Sequence, residues 1–412
     1  MKSKFESLLF AHDEWLTREA GGGFVAVSYT PRLVDRLLYL ADRVTLAVRC
    51  RPGQSESRQV RESKNELGRP PRDLTVLCVP NIKTVRGLRD YFIARRIVAE
   101  AVRTHDVVIA RLPSRNGAWA FSEARAQGKP VLVEFVGCPW DALWNHSGLG
   151  KLLAPAFFVK NRYLLKRSKY TVYVTNSFLQ RRYPAGGESI SCANVEIVPI
   201  PEARLVERVA RVRGSVVSMK CTLATVGAVD VPYKGQHLVI EALAHLRSAG
   251  FDARYLVIGG GDPTRLSRLA ESLGVLGQVE FRGSLPHSEV LEALDRVDIY
   301  LQPSRQEGLP RALIEAMSRG CAALGSDAGG IPELLDPQCV VRPLSAHAIA
   351  RAIQAGNAQF WTDQAQRNWR VSQEYTYEVL DARRKSFYDR FLRDVLPVRG
   401  RSFARNTTEV GR

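Results

Sequence analysis

Residues 303–320 read PSRQEGLPRALIEAMSRG, and this stretch is the most informative part of the sequence. It follows the apolar run 297–301, and Pro310 suits the first position of a helix. The sequence therefore predicts a strand, a loop and a helix over Arg311–Ser318. A loop that passes through Gly308 into a helix presents unpaired backbone N–H groups, which are suited to hold an anion such as a diphosphate.

Two carboxylates in this stretch are separated by seven residues. Glu307 lies in the loop, beside the N–H groups of Gly308 and Leu309, where it would reach a sugar ring. Glu315 lies about two turns into the helix, where it would reach a ribose through charge-assisted hydrogen bonds. The pattern indicates a nucleotide-sugar site. The alternative is a surface helix with ordinary acidic residues, because two glutamates eight apart are common on solvated helices.

Four blocks of sequence occur in the order and at the intervals of a known family. They are VGAVDVPYKGQHLVIEALAHL, VIGGGD, VEFRGSLP and the long segment 298–333. Together they resemble the retaining glycosyltransferases of family 4, also called glycosyl transferases group 1, which have the GT-B fold. The resemblance covers residues 223–342 well and fades toward the amino end.

The resemblance implies a hexosyltransferase-type enzyme. Such an enzyme moves a sugar from a nucleoside-diphosphate sugar to a hydroxyl of a glycan or lipid-linked acceptor in polysaccharide biosynthesis. It retains the anomeric configuration and needs neither a metal nor a cofactor beyond the donor. Two other readings stay open: a catalytically weak GT-B scaffold or binding subunit, and another GT-B reaction such as phosphorolysis or epimerisation.

The family's functional residues map onto the second half of this chain with one departure. In the first half, members often carry a histidine directly after the strand 131–135, where this chain has Val136 and Gly137. Lys234 and Glu307 take the catalytic roles, since a lysine near the diphosphate would neutralise the leaving group. The donor-binding positions implied by the resemblance are Gly260, Arg282, Gly283, Gly308, Leu309 and Glu315. Many members carry an arginine after the strand's glycine, where this chain has Ala228. Either Lys234 works with another cation, such as Arg282 or Arg305, or the site is weaker. A solvated loop lysine is the alternative for Lys234.

Two segments of the amino half are candidates for the acceptor side. The glycine run that includes Gly22 and Gly23 follows the first predicted strand, where related enzymes place a loop near the donor phosphates. The segment 133–148, VEFVGCPWDALWNHSG, gathers Trp140, Asp141 and His146 after a strand. Aromatic and polar side chains together are typical of a sugar-binding surface. A flexible loop and a packed loop are the respective alternatives.

The order of elements predicts an α/β protein with two Rossmann-like domains that face each other across a cleft, the GT-B architecture. Strand-like runs alternate with helical patterns in both halves. We predict an acceptor-side domain over 1–200, a linker over 201–218, a nucleotide-sugar-binding domain over 219–375, a returning helix over 376–397 and a polar tail over 398–412. Residues 51–73 are expected to form a loop, and 195–198 a strand.

The composition restricts the location and the partners. The net charge of +17 needs a partner or a compartment where it is useful, but no nucleic-acid-binding motif is present. Residues 160–169, KNRYLLKRSK, predict either an interfacial helix at an anionic membrane or a core helix with a basic end. No apolar run is long enough to span a bilayer. Seven scattered cysteines favour reduced thiols, and we expect a cytoplasmic protein with peripheral contact at the inner membrane face.

Overall fold

The computed structural model describes residues 4–18, 23–26, 29–52, 65–68, 73–81, 87–195 and 197–396. These residues form two α/β domains, each built around its own β-sheet. The predicted α/β class is confirmed.

The first domain is built on a sheet of nine strands. Its strands are β1 (Phe5–Arg18), β2 (Phe24–Ala26), β3 (Ala41–Pro52), β4 (Asn65–Gly68), β5 (Leu74–Cys78), β6 (Val107–Leu112), β7 (Val131–Phe135), β8 (Tyr170–Tyr173) and β9 (Glu188–Ser191). Strands β5, β3, β1, β6, β7, β8 and β9 run parallel in that order. The short strands β2 and β4 extend the end of β1 in antiparallel fashion.

The second domain contains a five-stranded parallel sheet. Its strands are β10 (Lys220–Val226), β11 (Asp252–Ile258), β12 (Val279–Gly283), β13 (Ile299–Gln302) and β14 (Ala322–Gly325). They lie in the order β12, β11, β10, β13, β14. All four residues of β13 and of β14 are buried, because helices cover both faces of a parallel sheet. The order changes direction at β10, and ligands of open α/β sheets bind at such a point.

Fifteen helices are present in the described part of the chain. They are α1 (Pro31–Leu38), α2 (Gly87–Thr104), α3 (Arg115–Ala126), α4 (Pro139–Trp144), α5 (Gly148–Leu165), α6 (Phe178–Arg182), α7 (Glu202–Val217), α8 (Gln236–Ser248), α9 (Thr264–Ser272), α10 (His287–Leu294), α11 (Arg311–Ser318), α12 (Ile331–Leu334), α13 (Ala346–Ala355), α14 (Ala358–Ser372) and α15 (Tyr377–Val395). None of them is both long enough and apolar enough to cross a membrane.

The last helix, α15, packs on the first domain although it follows the second in sequence. Phe391 lies against Phe5, with ring centroids 6.3 Å apart. The hydroxyl of Tyr170 donates to Asp394 at 2.7 Å, and that of Tyr39 donates to Asp389 at 2.6 Å. These contacts bring the carboxyl-terminal end of the described chain back to the first domain.

Three local predictions were wrong. The expected linker 201–218 contains helix α7, because Leu205 and Val212 give it a buried face that the arginine-rich sequence obscured. Residues 195–198 form no strand beyond one bridge between Ile197 and Thr376. The edge strand of the first sheet is β9 instead. Part of the expected loop 51–73, Asn65–Gly68, pairs with β2, while 53–64 and 69–72 lie outside the described residues.

The prediction that all cysteines are reduced thiols was also wrong. Cys50 at the end of β3 and Cys78 at the end of β5 form a disulfide, and their Cα atoms lie 5.4 Å apart. The two strands are parallel neighbours, so residues 28 apart in sequence meet side by side. The remaining five cysteines are buried thiols. The cysteine content therefore no longer supports a reducing compartment.

Candidate functional site

The loop after β13 places Glu307 at the cleft between the two domains. Lys234 Nζ donates to Glu307 Oε1 at 2.7 Å, and Gln302 Nε2 donates to the same oxygen at 3.0 Å. Both partners of the ion pair are largely buried, with side-chain exposures of 21% for Lys234 and 11% for Glu307. The two residues that the sequence identified as catalytic are therefore in direct contact.

Two glycines explain how the loops around this ion pair pack so closely. Gly235 follows Lys234 with φ +78°, and a Cβ there would lie 2.0 Å from the carbonyl oxygen of Pro303. Gly329 has φ +60°, and a Cβ there would lie 2.3 Å from the carbonyl oxygen of Glu307. Only glycine fits either position without moving the backbone. The lysine turn and the glycine turn of 327–330 thus set the position of the Glu307 loop from two sides.

Glu315 lies on α11, facing the cleft. His287 Nε2 lies 3.3 Å from Glu315 Oε1, a contact that the sequence did not predict. Beneath the site, burial raises the pKa of Tyr300 well above its usual range, and the charges of Glu307 and Glu315 raise it further. The two carboxylates therefore act on one buried phenol, which places them at the same end of the second sheet.

A cavity of about 510 Å³ lies between the domains at Glu315. From the second domain it is lined by residues that include Gly227, Ala228, Gly259, Ser284, His287, Arg311 and Glu315. From the first domain and α15 it is lined by residues that include Arg32, Arg36, Arg111, Asn194, Tyr377, Asp381 and Arg384. A cavity of this volume is typical of small-molecule sites.

A smaller cavity of about 160 Å³ adjoins the ion pair. Lys234, Glu307 and Gly308 line it from the second domain, opposite Gly137 and Cys138 of the first. Within the described residues, the N–H groups of Gly308 and Leu309 donate to no protein acceptor. Their role in holding a diphosphate stays a prediction.

Of the six predicted donor-binding residues, Glu315 lines the large cavity and Gly308 the smaller one, whereas Gly260, Arg282, Gly283 and Leu309 line neither. Arg282 is half-exposed and pairs with Glu280 at 2.5 Å. Gly283 is exposed, and its carbonyl accepts from the N–H of Gly259 at 2.9 Å, while the carbonyl of Gly260 accepts from the N–H of Val229 at 3.0 Å. Gly259 rather than Gly260 faces the cavity. The glycine after β11 that lines the cavity is therefore one residue earlier in the chain than the predicted Gly260.

Arg305, the second cation suggested as a substitute at Ala228, also lies elsewhere. It lines a different cavity of about 320 Å³, together with Asp141 and Arg182 of the first domain. Neither Arg282 nor Arg305 therefore shares a cavity with Ala228.

The predicted acceptor residues are dispersed. Gly22 lies outside the described residues, and Gly23 is buried. Trp140 stacks on Trp144 with ring centroids 5.2 Å apart and packs edge-on against Phe158, so it belongs to a hydrophobic cluster. Asp141 forms an ion pair with Arg182, whose Nη1 lies 2.9 Å from Asp141 Oδ1.

His146 is exposed and lines none of the cavities described above. Of the predicted acceptor residues, Asp141 is the one that faces the second domain across a cavity.

A buried charged cluster that was not predicted from the sequence lies in the wall of the large cavity. Arg111 at the end of β6 donates through Nε and Nη2 to Glu134 Oε2 at 2.9 and 2.6 Å. Burial opposes ionisation of Glu134, but neighbouring guanidinium groups outweigh it and lower its pKa to about 2. The sequence carried a signal for this cluster, because Arg111 and Glu134 each interrupt an apolar strand, and every residue of the two strands except Val131 is buried. A charge in such a strand requires a partner.

The ring of His12 lies next to this cluster. Its Nδ1 is 3.1 Å from the hydroxyl of Tyr29. Burial, and then the charge of Arg111, lower the pKa of His12 to about 3. The imidazole is therefore neutral at physiological pH and adds no positive charge to the cleft.

No group of three or more His, Cys, Asp or Glu side chains suited to a metal ion occurs among the described residues. The expectation of a metal-free reaction remains a prediction.

Comparison with known proteins defines the class. Residues 217–356 match the family model for glycosyl transferases group 1. The second domain is therefore a glycosyltransferase domain of that group, and the chain is a transferase enzyme. Anabaena HepE in complex with UDP has the same fold, with a TM-score of 0.62 and 14% sequence identity over 92% of this chain and 98% of HepE. The two-domain architecture is of the GT-B type, as the sequence predicts.

Two relatives in sequence add to this. Protein CapJ of Staphylococcus aureus is 24% identical over 355 residues, which cover 84% of this chain and 85% of CapJ. The amylovoran biosynthesis glycosyltransferase AmsK of Erwinia amylovora is 37% identical over 110 residues. That alignment covers 25% of this chain and 27% of AmsK.

Proposed function

We propose that the chain is a retaining, metal-independent glycosyltransferase that uses a nucleoside-diphosphate sugar. In this proposal it transfers the sugar to a hydroxyl of a glycan or lipid-linked acceptor in polysaccharide biosynthesis. The observation that carries the proposal is the arrangement of Lys234, Glu307 and Glu315 around the interdomain cleft, at the end of a sheet where α/β proteins bind ligands. HepE, a protein of the same fold, binds UDP, and AmsK is named for the biosynthesis of a polysaccharide.

The three side chains have separate roles in this mechanism. Glu315 accepts hydrogen bonds from the ribose in the large cavity. Lys234 meets the diphosphate as it departs, and the amides of Gly308 and Leu309 assist from the start of α11. Glu307 fixes the hydroxyls of the transferred sugar in the smaller cavity while its Oε1 orients the lysine.

The acceptor hydroxyl then attacks the anomeric carbon from the face that the diphosphate leaves, and its proton passes to the departing phosphate. Metal independence follows in this proposal from the use of Lys234 and backbone amides as the electrophilic partners of the diphosphate. No protein nucleophile takes part.

A panel of nucleotide sugars with different bases and sugars tests the donor. We expect one of them to raise the melting temperature of the protein and to be consumed when an acceptor glycan is present. NMR of the product should show the anomeric configuration of the donor, and activity should survive treatment with EDTA. An inverted product, or a loss of activity that Mg²⁺ or Mn²⁺ restores, would refute the corresponding part. Release of sugar 1-phosphate, or isomerised donor without transfer, would identify another GT-B reaction.

We further propose that the exposed face of α5 contacts an anionic membrane. This helix carries large apolar side chains in solvent: Leu149, Leu152, Val159 and Tyr163 are 67%, 75%, 64% and 54% exposed. Their spacing places them along one side of the helix. An exposed apolar stripe with a basic end is the pattern of an interfacial helix. Arg167 of the basic end stacks on Tyr163, with its guanidinium carbon 3.4 Å from the ring centroid.

The basic end of α5 differs from the sequence prediction in one residue. Lys166, Arg167 and Lys169 are exposed, and we call these three residues the basic patch. Arg162, which was expected to join them, turns inward and donates to the carbonyl of Arg182 at 3.1 Å. Its side chain therefore supports the first domain instead of facing a surface.

A further inference from the structure

The wall of the large cavity that faces the second domain is built from arginines of three different elements. Arg36 on α1, Arg111 on β6 and Arg384 on α15 all line it. Arg111 binds Glu134 through two nitrogens, and Arg36 Nη2 lies 3.4 Å from the other oxygen of the same carboxylate. Arg384 donates to the carbonyl of Ala193 at 2.8 Å. We call these three arginines the arginine wall.

Arg384 has the weakest electrostatic compensation in this wall. Its side chain is buried, and the acceptors it reaches, the Ala193 carbonyl and the Asn194 amide oxygen, are neutral. Its Nε is buried without a hydrogen-bond partner among the described residues. Burial, and then the charge of Arg36, lower the pKa of Arg384, so its surroundings oppose the charged form. Asp381 lines the same cavity but pairs with Lys385 at 2.7 Å.

Buried guanidinium groups of this kind favour a negative ligand. A buried charge without full compensation is costly, and an anion in the cavity would relieve that cost. A guanidinium group also matches the geometry of a phosphate, to which it can donate two parallel hydrogen bonds.

The opposite wall of the cavity does not supply a surplus of positive charge. Position 228 is alanine, and Lys234, which lines the adjoining smaller cavity, is paired with Glu307. Arg311 lines this wall together with Glu315, one turn later on the same helix, so their formal charges cancel. The charge needed by a diphosphate is therefore concentrated on the first domain and α15.

The two cavities also separate the parts of the ligand. The residues proposed to meet the sugar and the departing phosphate, Glu307 and Lys234, line the smaller cavity. Glu315, proposed to meet the ribose, lines the larger one. Gly227 lies between them, because a Cβ on it would be 3.4 Å from Cδ of Lys234 and its own atoms line the larger cavity. With the ribose at Glu315 and the sugar at Glu307, the diphosphate lies between them. It is therefore the part of the donor that the arginine wall would contact.

We propose that Arg111 and Arg384 bind the donor's diphosphate from across the cleft and replace the cation that is absent at Ala228. This inference rests on the proposed function. It divides the diphosphate between the two domains, with Lys234 on one side and the arginine wall on the other. Donor binding would then hold the domains together, which a site confined to the second domain would not do.

Calorimetric titration of Arg384→Gln tests the inference. Arg383→Gln is the matched control, because Arg383 is the neighbouring residue on α15 and pairs with Glu374 at 3.3 Å outside the cavity. The ligands are UDP, GDP and ADP, each compared with its nucleoside. We expect Arg384→Gln to weaken the preferred nucleoside diphosphate by about ten- to a hundredfold, the usual range for a hydrogen bond to a charged group. Nucleoside affinity should stay within about twofold, and Arg383→Gln should behave like the parent.

Two further variants keep the test decisive if Arg384→Gln fails to fold. Arg384→Lys keeps the positive charge but loses the paired N–H donors of the guanidinium group. We expect it to weaken nucleoside-diphosphate binding less than Arg384→Gln does. The double variant Arg111→Gln/Glu134→Gln removes one charge of each sign, and it should also weaken the diphosphate but not the nucleoside. Circular dichroism confirms which variants are folded.

The outcomes separate this inference from the proposed function. Parent-like affinity for nucleoside diphosphates in folded Arg384→Gln and in the double variant would overturn the inference and leave the proposed function intact. If inorganic pyrophosphate binds in an Arg384-dependent way while nucleoside diphosphates do not depend on Arg384, the wall serves another anion, such as one on the acceptor, and the inference is wrong. If the parent binds no nucleotide at all, the proposed function itself fails.

Discussion

Replacing Lys234 by alanine tests the centre of the proposed mechanism. The ammonium group is 2.7 Å from Glu307 Oε1, and the pair is mostly shielded from solvent. In such a site the effective dielectric constant is about 20, and a unit charge 4 Å from a second one contributes about 4 kcal/mol. Loss of that interaction with the departing diphosphate would slow transfer about a thousandfold. Glu307 neutralises part of the lysine's charge, so the stabilisation of the departing diphosphate is smaller than this. We expect the barrier to rise by at least about 2.7 kcal/mol, a hundredfold fall in the transfer rate.

The assay is steady-state transfer of sugar from the donor identified by the panel, measured as kcat and KM. Lys234→Ala should lower kcat at least a hundredfold. Lys220→Ala, which removes an exposed lysine at the start of β10, should leave it unchanged. The same change in a Glu307→Gln background separates two explanations, because a lysine that acts only by orienting Glu307 would have no further effect there. A Lys234→Ala enzyme that transfers sugar within about threefold of the parent rate would refute the role of this residue.

Three other perturbations have defined outcomes. Glu315→Ala should weaken donor binding about ten- to a hundredfold, whereas Glu307→Gln should mainly lower kcat; equal and negligible effects on both quantities would contradict the donor assignment. Changing the three residues of the basic patch to glutamine should weaken binding to anionic vesicles in co-sedimentation by about 1 kcal/mol per residue, whereas Arg162→Gln should leave it unchanged. Binding that neither the basic-patch change nor added salt weakens would argue for a soluble acceptor. Because the pKa of His12 is about 3 in the folded protein and near 6.5 in the unfolded chain, protons bind the unfolded state preferentially between those values. Stability should therefore fall as pH drops from 6.5 toward 3, by up to about 1.4 kcal/mol per unit, and urea titrations of His12→Asn should show a smaller pH dependence.

The second domain was predictable because its site is local in sequence. The strand, loop and helix of 297–318 lie in one segment, so Glu307 and Glu315 could be placed relative to each other by helix geometry alone. The turn with Lys234 carried its own glycine, and the structure confirms the position of that turn by the close approach of Gly235 to Pro303. The strand before the glycine run ends at Ile258, as predicted, and the glycine of that run that lines the large cavity is Gly259.

The first domain was less predictable because its functional face is assembled from distant segments. Arg36, Arg111 and Arg384 meet only after the sheet has formed and α15 has returned to it. No spacing in the sequence connects these residues. The same limit explains Cys50 and Cys78, which are joined by the pairing of two parallel strands. Trp140 and Trp144, in contrast, are close in sequence and stack on each other within a hydrophobic cluster.

The high positive charge of this protein has two physically different uses in our account. Side chains of the basic patch are solvated, so their attraction to an anionic surface is long-ranged and is screened over about 10 Å at 0.1 M salt. In the arginine wall, Arg111 and Arg384 are buried and the side chain of Arg36 is 13% exposed. Screening is therefore weak there, and each guanidinium group must be matched by a carboxylate or by a ligand. Glu134 supplies part of that match in the protein itself. Glu134 does not match all three guanidinium groups, and we therefore expect a diphosphate to complete the arginine wall. The exposed face of α5, in contrast, would bind a membrane surface reversibly.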